Sequence, residues 1–241
     1  MKARYIFAAI AAAALMATVT SCGLEEFYED DNTVAIVDGN TLTYGSHQYT
    51  FVETETSGTL TFTNFPSTVR EFTALHDRFL GNSQPGVLCL DLLAFEMFRR
   101  DRTKGQRCIE MCNLAPNAKA IISNLSQKFP EKREDINPTD SYQQPYLVAA
   151  YLGGAREQND YQPDYPYTIT FNKSQNADAK QGEYSYINYG KIYTWVILRG
   201  GWRDVSATVL VPDYEDYVLV NECPGLYSGV PGIDSWKDTL K

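Results

Sequence analysis

The chain has 241 residues, of which 44% are hydrophobic and 21% charged, and its formal net charge is −9. These values are typical of a soluble globular chain and exclude disordered, collagen-like and membrane-embedded classes. The acidic balance argues against nucleic acid as a partner, because phosphate binding requires clustered Lys and Arg.

Residues 1–21 predict a lipoprotein signal peptide. Lys2 and Arg4 precede an apolar run from Tyr5 to Val19, which is short for a membrane span and has the size of a signal-peptide core. Small residues before Cys22 resemble the lipobox of bacterial lipoproteins, in which the cysteine receives the lipid. We therefore expect Cys22 to be the lipid attachment site and to hold the protein at a membrane. The alternative is an ordinary secretory peptide with a chance cysteine.

Residues 22–32 predict an acidic tether. Its five carboxylates repel one another and favour an extended, solvated segment. An acidic tract directly behind a lipidated cysteine also resembles the surface-export signal of Bacteroidetes lipoproteins. We expect a cell-envelope protein that is anchored to the outer membrane and exposed on the cell surface. A plain linker with the protein facing the periplasm is the alternative.

Residues 33–64 predict a small N-terminal β-meander. The segment is rich in threonine and in alternating apolar residues, and its turns contain Gly39 and Gly58. The expected strands are Thr33–Val37, Thr41–Tyr44, His47–Glu55 and Thr59–Thr63.

Residues 65–241 predict one α+β domain, which begins with helices. Apolar residues at three-to-four spacing mark them, and we expect Gly105 to interrupt the helical region. The expected helices run from Pro66 to about Leu80, from Gly86 to about Arg100, from Cys108 to Leu114 and from Ala118 to Phe129.

Strand patterns return from Tyr146 onward. They predict a largely antiparallel C-terminal sheet of roughly five strands, with the central helices packed on one of its faces. The expected strands are Tyr146–Tyr151, Tyr167–Phe171, Tyr184–Tyr189, Tyr193–Arg199, Ala207–Val211 and Tyr217–Asn221.

Four cysteines remain besides Cys22, and outside the cytosol they could form two disulfides. Cys89, Cys108 and Cys112 lie in apolar, helical sequence, which favours buried unpaired thiols. These three and Cys223 lack the spacing of a metal site, so we expect no metal and no cofactor.

Catalytic motifs are absent from the sequence. His47 and His76 do not form an HExxH pair, and there is no GxSxG, Walker or GxGxxG segment. A carboxylate pair is defined by distance in space and could still lie among the 30 acidic residues. We therefore assign no catalytic residue.

The segment Tyr151–Tyr167 resembles a motif of an uncharacterised family of bacterial, often lipid-anchored, Bacteroidetes-type proteins. That motif is close to Y-F-x-G-A-T-P-E-N-x-Y-T-P followed by P-Y, and Arg156 and Glu157 replace its Thr-Pro. The matching residues are Gly154, Ala155, Asn159, Tyr161, Pro163, Pro166 and Tyr167.

Weaker similarities extend this resemblance from about Pro85 to Ile233. They comprise the helical segment Phe98–Met111, the loop Arg199–Asp204 and the closing segment Leu226–Val230. The resemblance implies a compact α+β domain in an extracytoplasmic setting and implies no activity.

Asn159, Tyr161, Trp202 and Arg203 form the candidate ligand surface, because binding residues concentrate in loops and aromatic rings stack on sugars. The alternative is that the aromatic residues simply favour strands. We expect a lipid-anchored cell-envelope binding or interaction module, with a glycan or an envelope protein as partner. An envelope hydrolase with an unlocated carboxylate pair and a structural accessory subunit are the alternatives.

Overall fold

The computed structural model describes residues 32–131, 140, 142–173, 186–188, 191–199, 204–211 and 217–241. Thr33–Lys241 form one compact unit. The predicted signal peptide, Cys22 and all of the predicted tether except Asn32 lie outside the described residues. Within these ranges no helix combines the length and the apolar character that crossing a membrane requires.

A single antiparallel sheet runs through the unit. Its described strands are β1 (Ala35–Asp38), β2 (Thr41–Tyr44), β3 (His47–Glu53), β4 (Ser57–Phe62), β5 (Tyr167–Lys173), β6 (Tyr186–Asn188), β7 (Lys191–Arg199), β8 (Asp204–Val211) and β9 (Leu219–Glu222). Their order is β1-β2-β3-β4-β5-β7-β8-β9, and β6 pairs with the first residues of β7.

The N-terminal meander is part of this sheet. β4 pairs with β5 from Ser57 opposite Asn172 to Phe62 opposite Tyr167. The predicted meander and the strands of the predicted α+β domain therefore belong to one sheet. Strand partners that lie so far apart in sequence leave no local pattern, so the sequence could not show the connection.

The described helices are α1 (Val69–Leu75), α2 (Gln84–Arg100), α3 (Arg102–Cys112), α4 (Ala115–Lys128) and the short α5 (Pro224–Tyr227). α1 continues into one π-helical turn, His76–Leu80. The hydroxyls of Thr68 and Ser83 cap the N-termini of α1 and α2 by accepting backbone N–H bonds. The α+β class predicted from the sequence is confirmed.

Helix α2 forms the centre of the core. Every residue from Pro85 to Phe98 is buried, because α2 packs against β4 and β5 on one side and against α3 on another. Such a position explains why α2 is apolar on nearly every side, with Asp91 and Glu96 as its buried charged residues.

Gly105 lies inside α3 and does not interrupt it, which corrects the expectation from the sequence. A Cβ atom at this position would lie 2.1 Å from the Cα of Phe98. Glycine is therefore required because α3 crosses α2 at backbone contact, and the packing outweighs its weak helix propensity.

The predicted strand Tyr146–Tyr151 is wrong. The segment forms turns and a 3-10 turn at Ala149–Tyr151, closed by local bonds such as Ala150 N–H to Tyr146 O at 3.0 Å. All of its side chains are buried. A continuous apolar run has no periodicity that separates a strand from a buried turn, which explains the error.

The C-terminal segment 229–241 contains no helix or strand and packs along the core. Phe65 N–H donates to Lys241 O at 2.9 Å, and the Tyr167 hydroxyl donates to Thr239 O at 3.2 Å. Trp236 and Leu240 are partly buried against the apolar cluster. The segment therefore closes one side of the core.

Candidate functional site

Strands β2–β5 have two different faces, because successive side chains of a strand point in opposite directions. The face towards α2 is apolar and buried, as in the cross-strand row Leu42, Tyr49, Phe62 and Tyr167. We call the opposite face the threonine face. Its eight threonines are Thr41, Thr43, Thr50, Thr59, Thr61, Thr63, Thr168 and Thr170.

These threonines form a regular array. Thr41, Thr50, Thr61 and Thr168 lie opposite one another on four consecutive strands. Neighbouring strands are about 4.8 Å apart and alternate residues about 6.7 Å apart, so the hydroxyls occupy a nearly rectangular grid. The Oγ1 atoms of Thr41 and Thr50 are 3.2 Å apart, within hydrogen-bond distance.

The array is partly exposed and uncharged. All eight threonines retain some solvent exposure, and Ile36 and Val52 beside them are 62% and 48% exposed. Asp38 lies opposite Thr41 at the margin of the grid. Each hydroxyl can donate and accept a hydrogen bond, and each methyl group offers an apolar contact. The threonine face therefore suits an uncharged ligand that is itself rich in hydroxyl or amide groups.

The signal for this face was present in the sequence. Threonine recurs at every second position in Thr41–Thr43, Thr59–Thr63 and Thr168–Thr170. Because β-branched residues favour strands, the pattern by itself predicts strands and not a shared face. What could not be predicted is that the third segment pairs beside the other two.

Asn159 is exposed, but its side chain holds a loop together. Its Oδ1 accepts from Arg156 N–H at 2.8 Å, and its Nδ2 donates to Gly154 O and Gln162 O at 2.9 and 3.0 Å. Both amide hydrogens are thus used within the loop. These bonds favour a positioning role for Asn159 over direct ligand contact.

Tyr161 is fully buried, which corrects its assignment to a ligand surface. Its ring stacks on Tyr146 with centroids 5.4 Å apart, and its hydroxyl donates to Pro231 O at 3.2 Å. Its φ of 51° is unusual for a non-glycine residue, and the Asn159 loop holds it there. Tyr161 is therefore a core residue that joins this loop to the C-terminal segment.

Trp202 and Arg203, the other two residues of the predicted ligand surface, lie outside the described residues. In the tyrosine cluster noted from the sequence, Tyr167 is buried and Tyr165 is 56% exposed. The Tyr165 ring lies under the ammonium group of Lys241, 4.4 Å from its Nζ.

Glu71 is the most heavily bonded of the buried carboxylates. It accepts from His47 Nδ1 at 2.6 Å, from the Tyr49 hydroxyl at 2.8 Å and from Ser67 N–H at 2.9 Å. Burial, reinforced by Glu71, raises the pKa of Tyr49 well above its usual value. These contacts tie β3 to α1.

Asp91 lies in α2 behind a groove of about 530 Å³ between α3 and α4. Asn113, at the floor of the groove, donates to Asp91 Oδ1 at 2.5 Å, and the Cys223 thiol lies 3.5 Å from Oδ2. Burial raises the pKa of Asp91 to about 7 against the effect of these two hydrogen bonds. The same burial raises the pKa of Cys223 well above its usual value, so this thiol is a poor nucleophile.

Glu96, the third buried carboxylate, accepts from the guanidinium groups of Arg99 and Arg100 at 2.5 to 2.8 Å. Arg99 also donates to Asp238 at 3.0 Å. These ion pairs attach the C-terminal segment to α2.

Cys89, Cys108, Cys112 and Cys223 are all buried thiols outside any disulfide. Cys108 donates to the Met97 sulfur at 3.6 Å. In the part of the chain that the structure describes, no three His, Cys, Asp or Glu side chains converge in a way that could hold a metal ion.

The fold and the threonine face define an α+β domain with helices on one face of an antiparallel sheet and a polar array on the other. A family model, the domain of unknown function DUF6935, matches residues 64–234. The chain belongs to this family. The match begins just after β4, upstream of the expected Pro85, and leaves β1–β4 outside. No curated protein and no solved structure shows significant similarity to the chain.

Proposed function

We propose that the protein is a lipid-anchored binding module of the bacterial cell envelope and that the threonine face is its ligand surface. The observation that carries the proposal is the grid of seven threonines on four adjacent strands and Thr63 directly after β4. An array of hydroxyls without formal charge is matched by the hydroxyls and C–H groups of a neutral glycan, which is the ligand that we propose.

The position of the face supports this assignment. The opposite face of the same strands is buried in the core, where β4 and β5 pack against α2. Each of the strands β2–β5 is hydrogen-bonded to a neighbouring strand on both sides. The spacing of the hydroxyls is therefore fixed before a ligand arrives. Preorganised groups lose less conformational entropy on binding, which favours a rigid surface over a flexible loop.

The cellular setting is proposed from the N-terminal sequence. The apolar leader, the small residues before Cys22 and the acidic tether together favour a Bacteroidetes-type lipoprotein on the outer face of the outer membrane. Replacing Cys22 by serine should leave the protein unlipidated and shift it from the membrane fraction to the soluble fraction. Unchanged fractionation would refute the anchor.

A glycan-array screen tests the ligand surface, with the chain from Gly23 onward and a thermal-shift assay against the same sugars. The double variant Thr50→Val/Thr61→Val removes two hydroxyls and keeps side-chain shape, so it should lose at least about tenfold in affinity. The matched control is Thr103→Val, the same change at an exposed position of α3. This variant should bind the glycan as tightly as the parent.

An envelope hydrolase is the second candidate, favoured by Asp91 and its pKa of about 7 beneath the α3–α4 groove. A perturbed buried carboxylate is a marker of functional sites. Asn113 stands between Asp91 and the groove, however, and its amide is bonded to Asp91, Ile109 O and Asn117. This network supports a structural role of Asp91 in the core more strongly than a catalytic role.

A structural accessory subunit would bind an envelope protein instead, and a pull-down from native envelopes would detect that partner.

A further inference from the structure

Helices α3 and α4 meet at a corner that hydrogen bonds hold in place. Leu114 N–H donates to Val220 O at 2.9 Å, and the Asn113 amide group donates to Asp91 and to Ile109 O. These bonds tie the corner to β9 and to α2. The groove of about 530 Å³ opens between the two helices, and its volume falls within the range of about 300–1,000 Å³ that is typical of small-molecule sites.

The floor of this groove offers apolar contacts. Ala118 and Ile122 line it from the same side of α4, one helical turn apart. Asn113 also lines it, but this side chain is already bonded within the protein. Its Oδ1 accepts from Asn117 Nδ2 at 2.6 Å, and its Nδ2 donates to Asp91. The polar groups of a ligand must therefore find their partners on the walls of the groove.

Glu110 on α3 and Lys119 on α4 form two oppositely charged walls. Both side chains line the groove and both residues are exposed. Glu110 lies three residues before Asn113, and Lys119 lies five residues after Leu114. Each is thus within about 8 Å of the corner along its helix axis. The two charges therefore border the same inner part of the groove from different helices.

These two groups do not form an ion pair with each other. Glu110 Oε1 accepts from Gln106 Nε2 at 2.9 Å, and its second oxygen has no hydrogen-bond partner among the described residues. In the same part of the chain the Lys119 ammonium group has neither a hydrogen-bond partner nor an ion-pair partner. A carboxylate and an ammonium group are thus both available to a ligand in one cavity.

We propose that the α3–α4 groove binds a free amino acid with an apolar side chain. The ammonium group of the ligand donates to Glu110, and its carboxylate accepts from Lys119. Both charges of an amino acid are attached to one carbon atom, so a small ligand reaches both walls near the corner. Its side chain then extends outward over Ala118 and Ile122.

The opposite charges also select against related ligands. A carboxylic acid without an ammonium group is attracted by Lys119 and repelled by Glu110, and an amine without a carboxylate meets the reverse. A neutral sugar uses neither charge. The groove therefore takes a different class of ligand from the threonine face, and either proposal can fail without the other.

Isothermal titration calorimetry tests the groove with L-leucine and with two analogues that each lack one charge, 4-methylpentanoate and 3-methylbutylamine. The chain from Gly23 onward is used, because it keeps the compact unit Thr33–Lys241. We expect leucine to bind. Each analogue should bind at least about tenfold more weakly, because one charge-assisted hydrogen bond is lost.

Two variants remove the charges of the protein one at a time. Glu110→Gln and Lys119→Met should each weaken leucine binding at least about tenfold. Glu110→Gln should also bind 4-methylpentanoate more tightly than the parent does, because the repulsion is removed, and Lys119→Met should do so for 3-methylbutylamine. The matched controls are Glu55→Gln and Lys237→Met, the same changes at exposed positions outside the groove. They should bind leucine as tightly as the parent.

All four substituted positions are exposed, so the variants should fold, and circular dichroism checks this. A parent that binds no leucine up to the solubility limit of the amino acid would overturn the assignment. Leucine binding that Glu110→Gln and Lys119→Met leave unchanged would also overturn it. Equal binding of leucine and either analogue would have the same consequence, because the groove would then be an apolar surface that does not distinguish the two charges.

Discussion

The two faces of strands β2–β5 carry opposite chemistry on the same backbone. Towards α2 the side chains are aromatic or aliphatic and fully buried, as with Tyr49 and Phe62. On the other side the corresponding positions are threonine, and Thr50 lies directly opposite Thr61. The difference separates two tasks: the buried face determines stability, and the threonine face is free to determine binding. Substitutions on the two faces should therefore have different effects.

The largest loss of stability is expected at Glu71, on the buried side. Glu71→Ala leaves the Tyr49 hydroxyl and His47 Nδ1 without their acceptor in the core. Leaving a buried donor without its acceptor costs about 1–3 kcal/mol for each group. Urea unfolding should show this loss, whereas Glu110→Ala on exposed α3 should change the free energy of unfolding by less than about 0.5 kcal/mol. Equal effects would contradict the role of Glu71 in holding β3 to α1.

Asp91 should make the free energy of unfolding depend on pH. Its folded-state pKa is about 7, above its ordinary value of 3.8, so the native state favours the protonated form. The stability contribution of Asp91 consequently rises as pH falls through 7 and levels off near pH 4. The gain has an upper bound of about 4 kcal/mol.

Asp91→Asn removes this titration. The difference in unfolding free energy between parent and variant should therefore change by up to about 4 kcal/mol between pH 8 and pH 4. Denaturant titrations at several pH values measure it. A constant difference would show that Asp91 keeps an ordinary pKa.

A smaller effect is expected for Asn159, in the loop that orients Tyr161. Asn159→Ala removes three side-chain hydrogen bonds on the protein surface, where water replaces part of their energy. The expected cost is about 1–2 kcal/mol. Thermal unfolding measures this cost, and glycan binding should not change because the loop is not part of the threonine face. Lost binding with unchanged stability would restore Asn159 as a ligand residue.

The smallest effect on stability is expected for Thr50→Val/Thr61→Val. Valine favours strands as threonine does, and neither hydroxyl is needed by the core. The free energy of unfolding should change by less than about 0.5 kcal/mol per site. A larger loss would show that the hydroxyl network stabilises the sheet and would weaken the separation of tasks.

Local sequence patterns predicted most single elements. The apolar run of α2 and the Gly39 turn between β1 and β2 are signals that neighbouring residues contain. Patterns failed where a contact from far along the chain decides the outcome. Gly105 stays within a helix because Phe98 packs against it. The segment Tyr146–Tyr151 forms turns, and it is buried by parts of the chain that are distant in sequence.

The candidate site was missed for the same reason. Tyr161 looked like a ligand residue because exposed and buried tyrosines are identical in sequence. The threonines looked like ordinary strand residues, and only the pairing of β4 with β5 brings Thr61 and Thr168 together. Repeated Thr-x-Thr segments in separate strands would have been the signal for a shared face.

The most direct test of the central claim is glycan binding by the parent and Thr50→Val/Thr61→Val, with Thr103→Val as control, measured with thermal unfolding of the same samples. We predict a specific neutral glycan that binds the parent and the control, and at least about tenfold weaker binding by the double variant at unchanged stability. A folded parent that binds no glycan, or a double variant that binds as tightly as the parent, would contradict the assignment of the threonine face as the ligand surface.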